Sequence, residues 1–241
     1  MNWRAPLLQE WIRREWDQSY SDRGVRALLY RLNMSFTCPT YTLAKADPVK
    51  QEAFRQTFRK LQIQWALGSV DRLWFQDESM IRDDQALTRT WFPKGQQKII
   101  PTFGKHLGAK MLGTLDYVTG EGFCLLHDHD DAPGFLEFLE QTVARYPGEK
   151  VVMILDNAKI HHAKLIQPFL AEHRDDLTLV FLPPYSPQMN LIEAFWGWLK
   201  RSVIDNVFFH SAAAIKLAVE GFIAMVNTTP DTTRERLCMG L

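Results

Sequence analysis

No apolar stretch in this 241-residue chain approaches the ~20 residues that a membrane-spanning helix needs. The N-terminus also lacks the apolar core of a signal peptide, so a cytoplasmic protein without membrane contact is expected. Cysteine is sparse: Cys38, Cys124 and Cys238 lie far apart, form no CxxC pair and read as reduced thiols. Net charge is zero, so composition by itself suggests no nucleic-acid partner. There is no internal repeat, no low-complexity tract, no glycine-rich phosphate loop and no nucleophilic Ser or Cys motif. What the chain does have is apolar mass. At 46% hydrophobic and 12% aromatic residues it can bury one substantial core with a smaller appendage.

The charge is unevenly spread. Residues 1–60 hold eleven Lys/Arg against six Asp/Glu. The interval between Asp84 and Asp116 contains no acid but carries Arg89, Lys94, Lys98, Lys105 and Lys110, with Trp91 and Phe92 among them. Such a loop suits a phosphate backbone. A solvated surface loop is the plainer reading, and charge leaves both open.

Periodicity divides the chain into a helical front and an α/β body. Leu8, Trp11, Ile12 and Trp16 recur at helical spacing, as do Val25, Leu28, Leu29 and Leu32, with Ser21 placed to cap the second helix. Two such helices fit part of a helix-turn-helix, or a helical hairpin packed on the body. We take residues 1–46 as a partial helix-turn-helix-like region. Asp47-Pro48 then opens a connecting helix over 47–68, with Gly68 at its end. From 69 to 241 the pattern is a mixed sheet flanked by helices. Its expected strands are Arg72–Gln76, Lys110–Tyr117, Phe123–His127, Val151–Leu155 and Leu177–Leu182. Its expected helices fall near 134–146, 162–173, 190–204 and 211–226.

Three acidic residues stand out because each lies beside a regular element: Asp77 after an apolar strand, Asp156 after another, Glu193 in the first turn of a helix. Gathered carboxylates are what divalent-metal phosphoryl-transfer chemistry requires. Each has a plainer explanation. Asp77 could merely end a strand, with Glu78 equally able to be the functional acid. Asp156 could form a turn. Glu193 could complete a capping box with Asn190. Two other clusters compete: HDHDD at 127–131 reads better as a polar turn than as a metal site, and of His161-His162 at most one faces any given site.

The segments WFQDES (74–79), LDNAKIHHA (155–163) and LPPYSPQMNLIEAFWGWLK (182–200), in that order, closely resemble the catalytic domain of bacterial insertion-sequence transposases related to the Tc/mariner superfamily. RTWFPKGQ at 89–96 matches a further family segment, so the resemblance covers about residues 70–205. It implies a ribonuclease H-like fold and a DDE-type activity, with Asp77, Asp156 and Glu193 as catalytic and metal-binding triad. Thirty-six residues separate the last two, similar to the family spacing. Asn157 and Asn190 match motif positions that support the acids. The resemblance further implies two Mg²⁺ ions, with Mn²⁺ able to substitute. It implies double-stranded DNA as substrate (inverted repeats, then target), a homodimer on paired ends, and action in the bacterial cytoplasm at the nucleoid. Family members usually carry a longer N-terminal part with paired helix-turn-helix units. A truncated relic that binds DNA or a full-length partner without turnover is therefore the alternative, and a ribonuclease H-like nuclease with another substrate shares the same metal site.

Overall fold

The computed structural model describes residues 4–37, 43–82, 87–102, 108–127 and 131–237. It divides into two compact units, Met1–Thr42 and Leu43–Leu241. In the first, α1 (Ala5–Trp16) and α2 (Asp22–Arg31) bury Ile12 and Val25. Trp11 meets Trp16 edge-on at 4.6 Å. The Ser21 hydroxyl accepts from the Gly24 amide at 3.0 Å, the cap that the sequence predicts for α2.

The second unit opens with α3 (Pro48–Ala66), whose first turn is capped by Asp47 accepting from the Val49 and Lys50 amides. Gly68 follows α3 at φ 71°, the left-handed conformation that ends helices. This helix, expected to connect the two parts, packs onto the sheet of its own unit. Phe54 and Leu61 are buried, and Phe58 meets the rings of Phe75 and Tyr117 edge-on at 5.6 and 5.2 Å.

The sheet has five strands in the order β3-β2-β1-β4-β5: β1 Arg72–Arg82, β2 Gly108–Asp116, β3 Gly122–His127, β4 Val151–Leu155 and β5 Leu177–Phe181. The β1-β2-β3 part is an antiparallel meander, while β4 and β5 run parallel to β1. One face carries α4 (Ala132–Arg145), packed through Phe135, Phe138 and Leu139 on Trp74 and Met153. The other carries α3, α6 (Ile192–Leu199, continued as a π-helical turn over Lys200–Ile204) and α7 (Ala212–Thr228), packed on Leu73, Phe75 and Leu115. All of β4 is buried, as its wholly apolar sequence requires. Among the described residues no single helix is long and apolar enough to cross a membrane.

Two elements differ from expectation. β1 continues to Arg82 rather than stopping at Gln76, because β2 pairs with it as far as Arg82↔Gly108. Asp77 therefore sits in mid-strand. The helix expected over 162–173 is two 3₁₀ turns, Lys159–His162 and Lys164–Ile166, followed by α5 (Gln167–Glu172). Pro168 explains this: lacking an N–H, it fits a first helical turn and not an interior. The chain closes the second unit with α8 (Pro230–Arg236).

One glycine sets the approach of a helix to the sheet. Gly113 lies opposite Asp77 in the β1–β2 ladder. A Cβ there would meet Trp196 Cη2 at 2.3 Å and Cys124 Sγ at 3.0 Å. The indole of α6 thus lies directly on the β2 backbone, in space no larger residue leaves free. Gly113→Ala is expected to destabilise the fold by about 1–3 kcal/mol, the usual range for overpacking a core. Chemical denaturation against the parent chain measures this.

Candidate active site

The parallel neighbour of β1 ends early. The last β1–β4 pair is Phe75↔Ile154 and β4 stops at Leu155, whereas β1 continues seven residues beyond Phe75 with β2 on one side only. The chain leaves β1 toward β2 and leaves β4 toward β5, on opposite sides. A crevice at the carboxyl ends of the strands opens where connections diverge in this way.

Asp77, Asp156 and Glu193 all line the cavity there, of about 460 Å³. Asp77 is in mid-β1, Asp156 directly follows β4, and Glu193 lies in the first turn of α6. Strand alternation puts Asp77 on the face of Leu73 and Phe75, toward α6, and Glu78 on the α4 face. Two asparagines tie the rim together. Asn190 Nδ2 donates to the Gln76 carbonyl at 3.0 Å, joining the start of α6 to β1. Asn157 Nδ2 donates to the Leu182 carbonyl at 3.1 Å, joining the ends of β4 and β5. The capping box is not formed: no side chain caps α6, the Glu193 amide bonds the Asn190 main-chain carbonyl at 3.2 Å, and the Asn190 side chain turns to the sheet, with Glu193 at the cavity.

The opposite wall is Pro183-Pro184-Tyr185. Tyr185 has φ 57°, a left-handed backbone that costs a non-glycine residue free energy. Neighbours hold the turn. Ser186 Oγ accepts from Gln51 Nε2 of α3 at 2.9 Å and donates to the Pro184 carbonyl at 3.3 Å. Lys45 Nζ lies 5.6 Å from the centre of the Tyr185 ring.

The electrostatics are dominated by crowded negative charge. Burial, then the proximity of Glu193, Glu78 and Asp156, pushes the Asp77 carboxyl up to about 7. Asp156 moves the other way, held below the usual carboxylate range by its hydrogen bonds to His161 and to the Ala158 amide. His161 is buried, which by itself would lower its pKa, yet hydrogen bonds to Asp156 and Glu78 push it up to about 9. Its ring nitrogens face Glu78 Oε1 at 3.0 Å and Asp156 Oδ1 at 3.2 Å. Both partners are acceptors, so both nitrogens donate, as an imidazolium does. His162 instead stacks on Phe181 at 4.5 Å, and its Nε2 lies 3.0 Å from Asn157 Oδ1.

The remaining candidates separate from the cavity. In the 127–131 run, His127 Nε2 lies 3.3 Å from Glu137 and Asp131 caps α4 by accepting from Gly134; residues 128–130 lie outside the described residues. Of the basic interval, residues 87–102 form an irregular segment with Trp91 fully exposed. Asn206 holds it by three hydrogen bonds to Thr88 at 3.0–3.1 Å. Lys110 belongs to β2 and not to this loop, and Lys105 lies outside the described residues, as do Cys38 and Cys238. Sequence reading missed the Asn190 bond to β1 and the Gln51–Ser186 bond. The segments involved are 114 and 135 residues apart, and no local pattern signals either contact.

Comparison with known proteins agrees with this geometry. The family model described as DDE superfamily endonuclease matches residues 72–216, and one described as winged helix-turn helix matches residues 2–58. The insertion element IS630 uncharacterized 39 kDa protein of Shigella sonnei is 26% identical over 190 residues, covering 78% of this chain and 54% of that protein. The uncharacterized protein y4pE/y4sA of Sinorhizobium fredii is 33% identical over 92 residues, covering 37% of this chain and 64% of that protein. The chain thus spans between about half and two thirds of the length of these relatives. Among solved structures, a Mos1 transposase paired-end complex with left transposon end aligns at TM-score 0.63 and 14% identity, over 98% of this chain and 78% of that one. The catalytic domain of Mos1 mariner transposase aligns at TM-score 0.53 and 13% identity, over 82% of this chain and 97% of that one. The fold is therefore the ribonuclease H-like fold of that catalytic domain.

The charge crowding has a measurable consequence. Asp77 is protonated more readily folded than unfolded, so its ionisation costs stability progressively as pH rises from about 4 to about 7. His161, raised to about 9, contributes stability that is complete below about 6.5 and is lost as pH rises through 9. Asp77→Asn is therefore expected to be more stable than the parent chain at pH 8 with chelator present, by on the order of 2 kcal/mol, and so to melt at higher temperature. The advantage should shrink toward pH 4. Thermal unfolding across that range tests it, and a pH-independent difference would contradict the assignment.

Proposed function

We infer that this chain, which belongs to the DDE superfamily endonucleases, is a divalent-metal-dependent DNA transposase in which Asp77, Asp156 and Glu193 are the catalytic acids. One observation carries the reading: three carboxylates from β1, the end of β4 and the first turn of α6 share a cavity in which burial, and then the neighbouring acids, push Asp77 up to about 7. That donor set fits a hard divalent cation. It offers only carboxylate oxygens, and its charge is uncompensated on the Asp77 side. Asp77, Asp156 and Glu193 would hold two Mg²⁺ ions, with Mn²⁺ as a substitute. When bound, such ions lower the pKa of an attacking water or hydroxyl and offset charge on the phosphate.

The chain's own residues supply the rest. Asn190 and Asn157 fix the rim, so the acids meet substrate without rearranging. The Pro183-Pro184-Tyr185 wall, pinned by Gln51, limits one side of the crevice. The exposed cations Arg89 and Lys94 beside Trp91 suit a DNA backbone, and so does the winged helix-turn helix match at the N-terminus. The related complexes contain a transposon end, and others are described with Mg or with Mn, which supports double-stranded element ends as substrate and either ion as cofactor. The paired-end complexes support two copies acting on paired ends, and the relatives in Shigella sonnei and Sinorhizobium fredii support action in the bacterial cytoplasm at the nucleoid.

Asp156→Ala and Glu193→Ala are expected to lower Mg²⁺-dependent cleavage of a duplex carrying the cognate element ends by on the order of a thousandfold or more, with circular dichroism unchanged. Full activity in either variant would end the proposal. Stronger cleavage of an RNA–DNA hybrid than of the element-end duplex would replace it with a nuclease of other specificity.

A further inference from the structure

We propose that Glu78 and His161 form a buried brace that fixes which oxygen of Asp156 faces the cavity, and that both are positioning residues for the ion-holding site. This rests on the reading of Asp156 as an ion ligand and deepens it.

Asp156 is half-exposed at the end of β4, where an aspartate side chain turns freely unless held. Here one of its oxygens is committed twice. Oδ1 accepts from the Ala158 amide at 2.7 Å and is ion-paired with His161 Nδ1 at 3.2 Å. Oδ2 is the oxygen left for the cavity that Asp156 lines. The same His161 nitrogen lies 3.1 Å from the Asp156 carbonyl, so the ring grips both main chain and side chain of that residue.

The ring is itself fixed from behind. Its side chain is fully buried, and Phe135 of α4 lies against it at 4.5 Å between centroids. Its other nitrogen meets Glu78 Oε1 at 3.0 Å, and that oxygen also accepts from the buried Gln76 amide at 3.3 Å. Glu78 lies on the face of β1 opposite Asp77 and does not line the cavity. Two adjacent acids of one strand thus divide the work: Asp77 faces the crevice directly, and Glu78 acts on it through a histidine 83 residues away. Outer partners of this kind typically change metal affinity 10–100-fold when removed.

The test is Mn²⁺ binding to the whole chain, read by the electron paramagnetic resonance of free Mn²⁺, beside cleavage of the element-end duplex. His161→Asn puts an amide nitrogen where Nδ1 stands and keeps the donation to Asp156. His161→Gln carries its nitrogen toward Glu78 and loses that donation. The expected result is Mn²⁺ binding weakened about 10–100-fold in His161→Gln and in Glu78→Ala, and less than in His161→Gln for His161→Asn, which keeps the Asp156 contact and gives up only the Glu78 one, with cleavage recovering at high Mn²⁺. Equal loss in both histidine variants would make the ring merely structural and overturn the brace. If Asp156→Asn abolishes binding while the histidine and Glu78 variants bind as the parent does, the brace alone fails. If Asp156→Asn binds Mn²⁺ normally, the ligand assignment falls first. Should a histidine variant lack a cooperative melting transition, Glu78→Gln against Glu78→Ala decides, since glutamine keeps an acceptor oxygen and alanine does not. Equal binding by those two would reject the brace.

Discussion

Repulsion among carboxylates is the constraint around which the catalytic body is built. Four acids, Asp77, Glu78, Asp156 and Glu193, act on the Asp77 carboxyl or supply it. Left to relax, they would separate, since like charges near a low-dielectric core cost far more than in water. The scaffold resists this at three points: the ladder that carries β1 past the end of β4, the Asn190 bond that draws α6 to β1, and the indole of Trp196 seated on Gly113. None of these elements moves without breaking buried contacts, so the relief available is neutralisation, by a proton or a cation.

The far end of β1 shows the opposite solution. Arg72 is bound there by Asp116 at 2.9 Å, Glu121 at 3.1 Å and Glu149, with the Tyr146 ring 3.7 Å from its guanidinium carbon. Trp74 Nε1 also donates to Asp116 at 3.2 Å. Here three acids surround a resident cation, and the cluster ties β1 to the β2–β3 turn and to the entry of β4. One strand thus carries a compensated acidic cluster at its start and, at its middle, one that His161 compensates only on the side of Glu78 and Asp156. Breaking the former would leave the buried Asp116 carboxylate without its cation and free two partly exposed acids. That rigidity at one end lets the other remain charged and open.

Much of this was legible in the sequence, and the reasons differ by element. Caps at Ser21 and Asp47, the end of α3 at Gly68 and the core strand β4 depend on local chemistry, which a short window contains. The family likeness came from three motifs in order. The extent of β1 was not legible, because Asp77, Glu78 and Ser79 break the apolar pattern just where β2, not composition, maintains the strand. The 3₁₀ turns after Asp156 were missed because Leu165, Ile166 and Phe169 have helical spacing while Pro168 forbids a continuous helix. The capping-box reading of Asn190 failed for a tertiary reason: the side chain turns to the sheet, where its Nδ2 donates to the Gln76 carbonyl, and its Oδ1, the atom a cap would use, meets no partner among the described residues. Local windows contain propensity; they do not contain the partner.

The dipeptide Asp77-Glu78 shows how much a two-residue strand period can specify. Successive side chains point to opposite faces, so two neighbouring acids reach two environments without any bend in the chain. On the α6 face, Asp77 meets Glu193 and, among the described residues, no cation. On the α4 face, Glu78 meets His161 and a buried amide, and its charge is matched. A register slip of one residue would exchange them, sending the matched acid to the crevice and an unmatched one into the α4 core. The apolar residues of β1 oppose that slip, since Leu73 and Phe75 fill the core on the α6 face and Trp74 the core on the α4 face. The identity of the acid at the cavity is therefore set by how the start of the strand packs, not by any property of the acid itself.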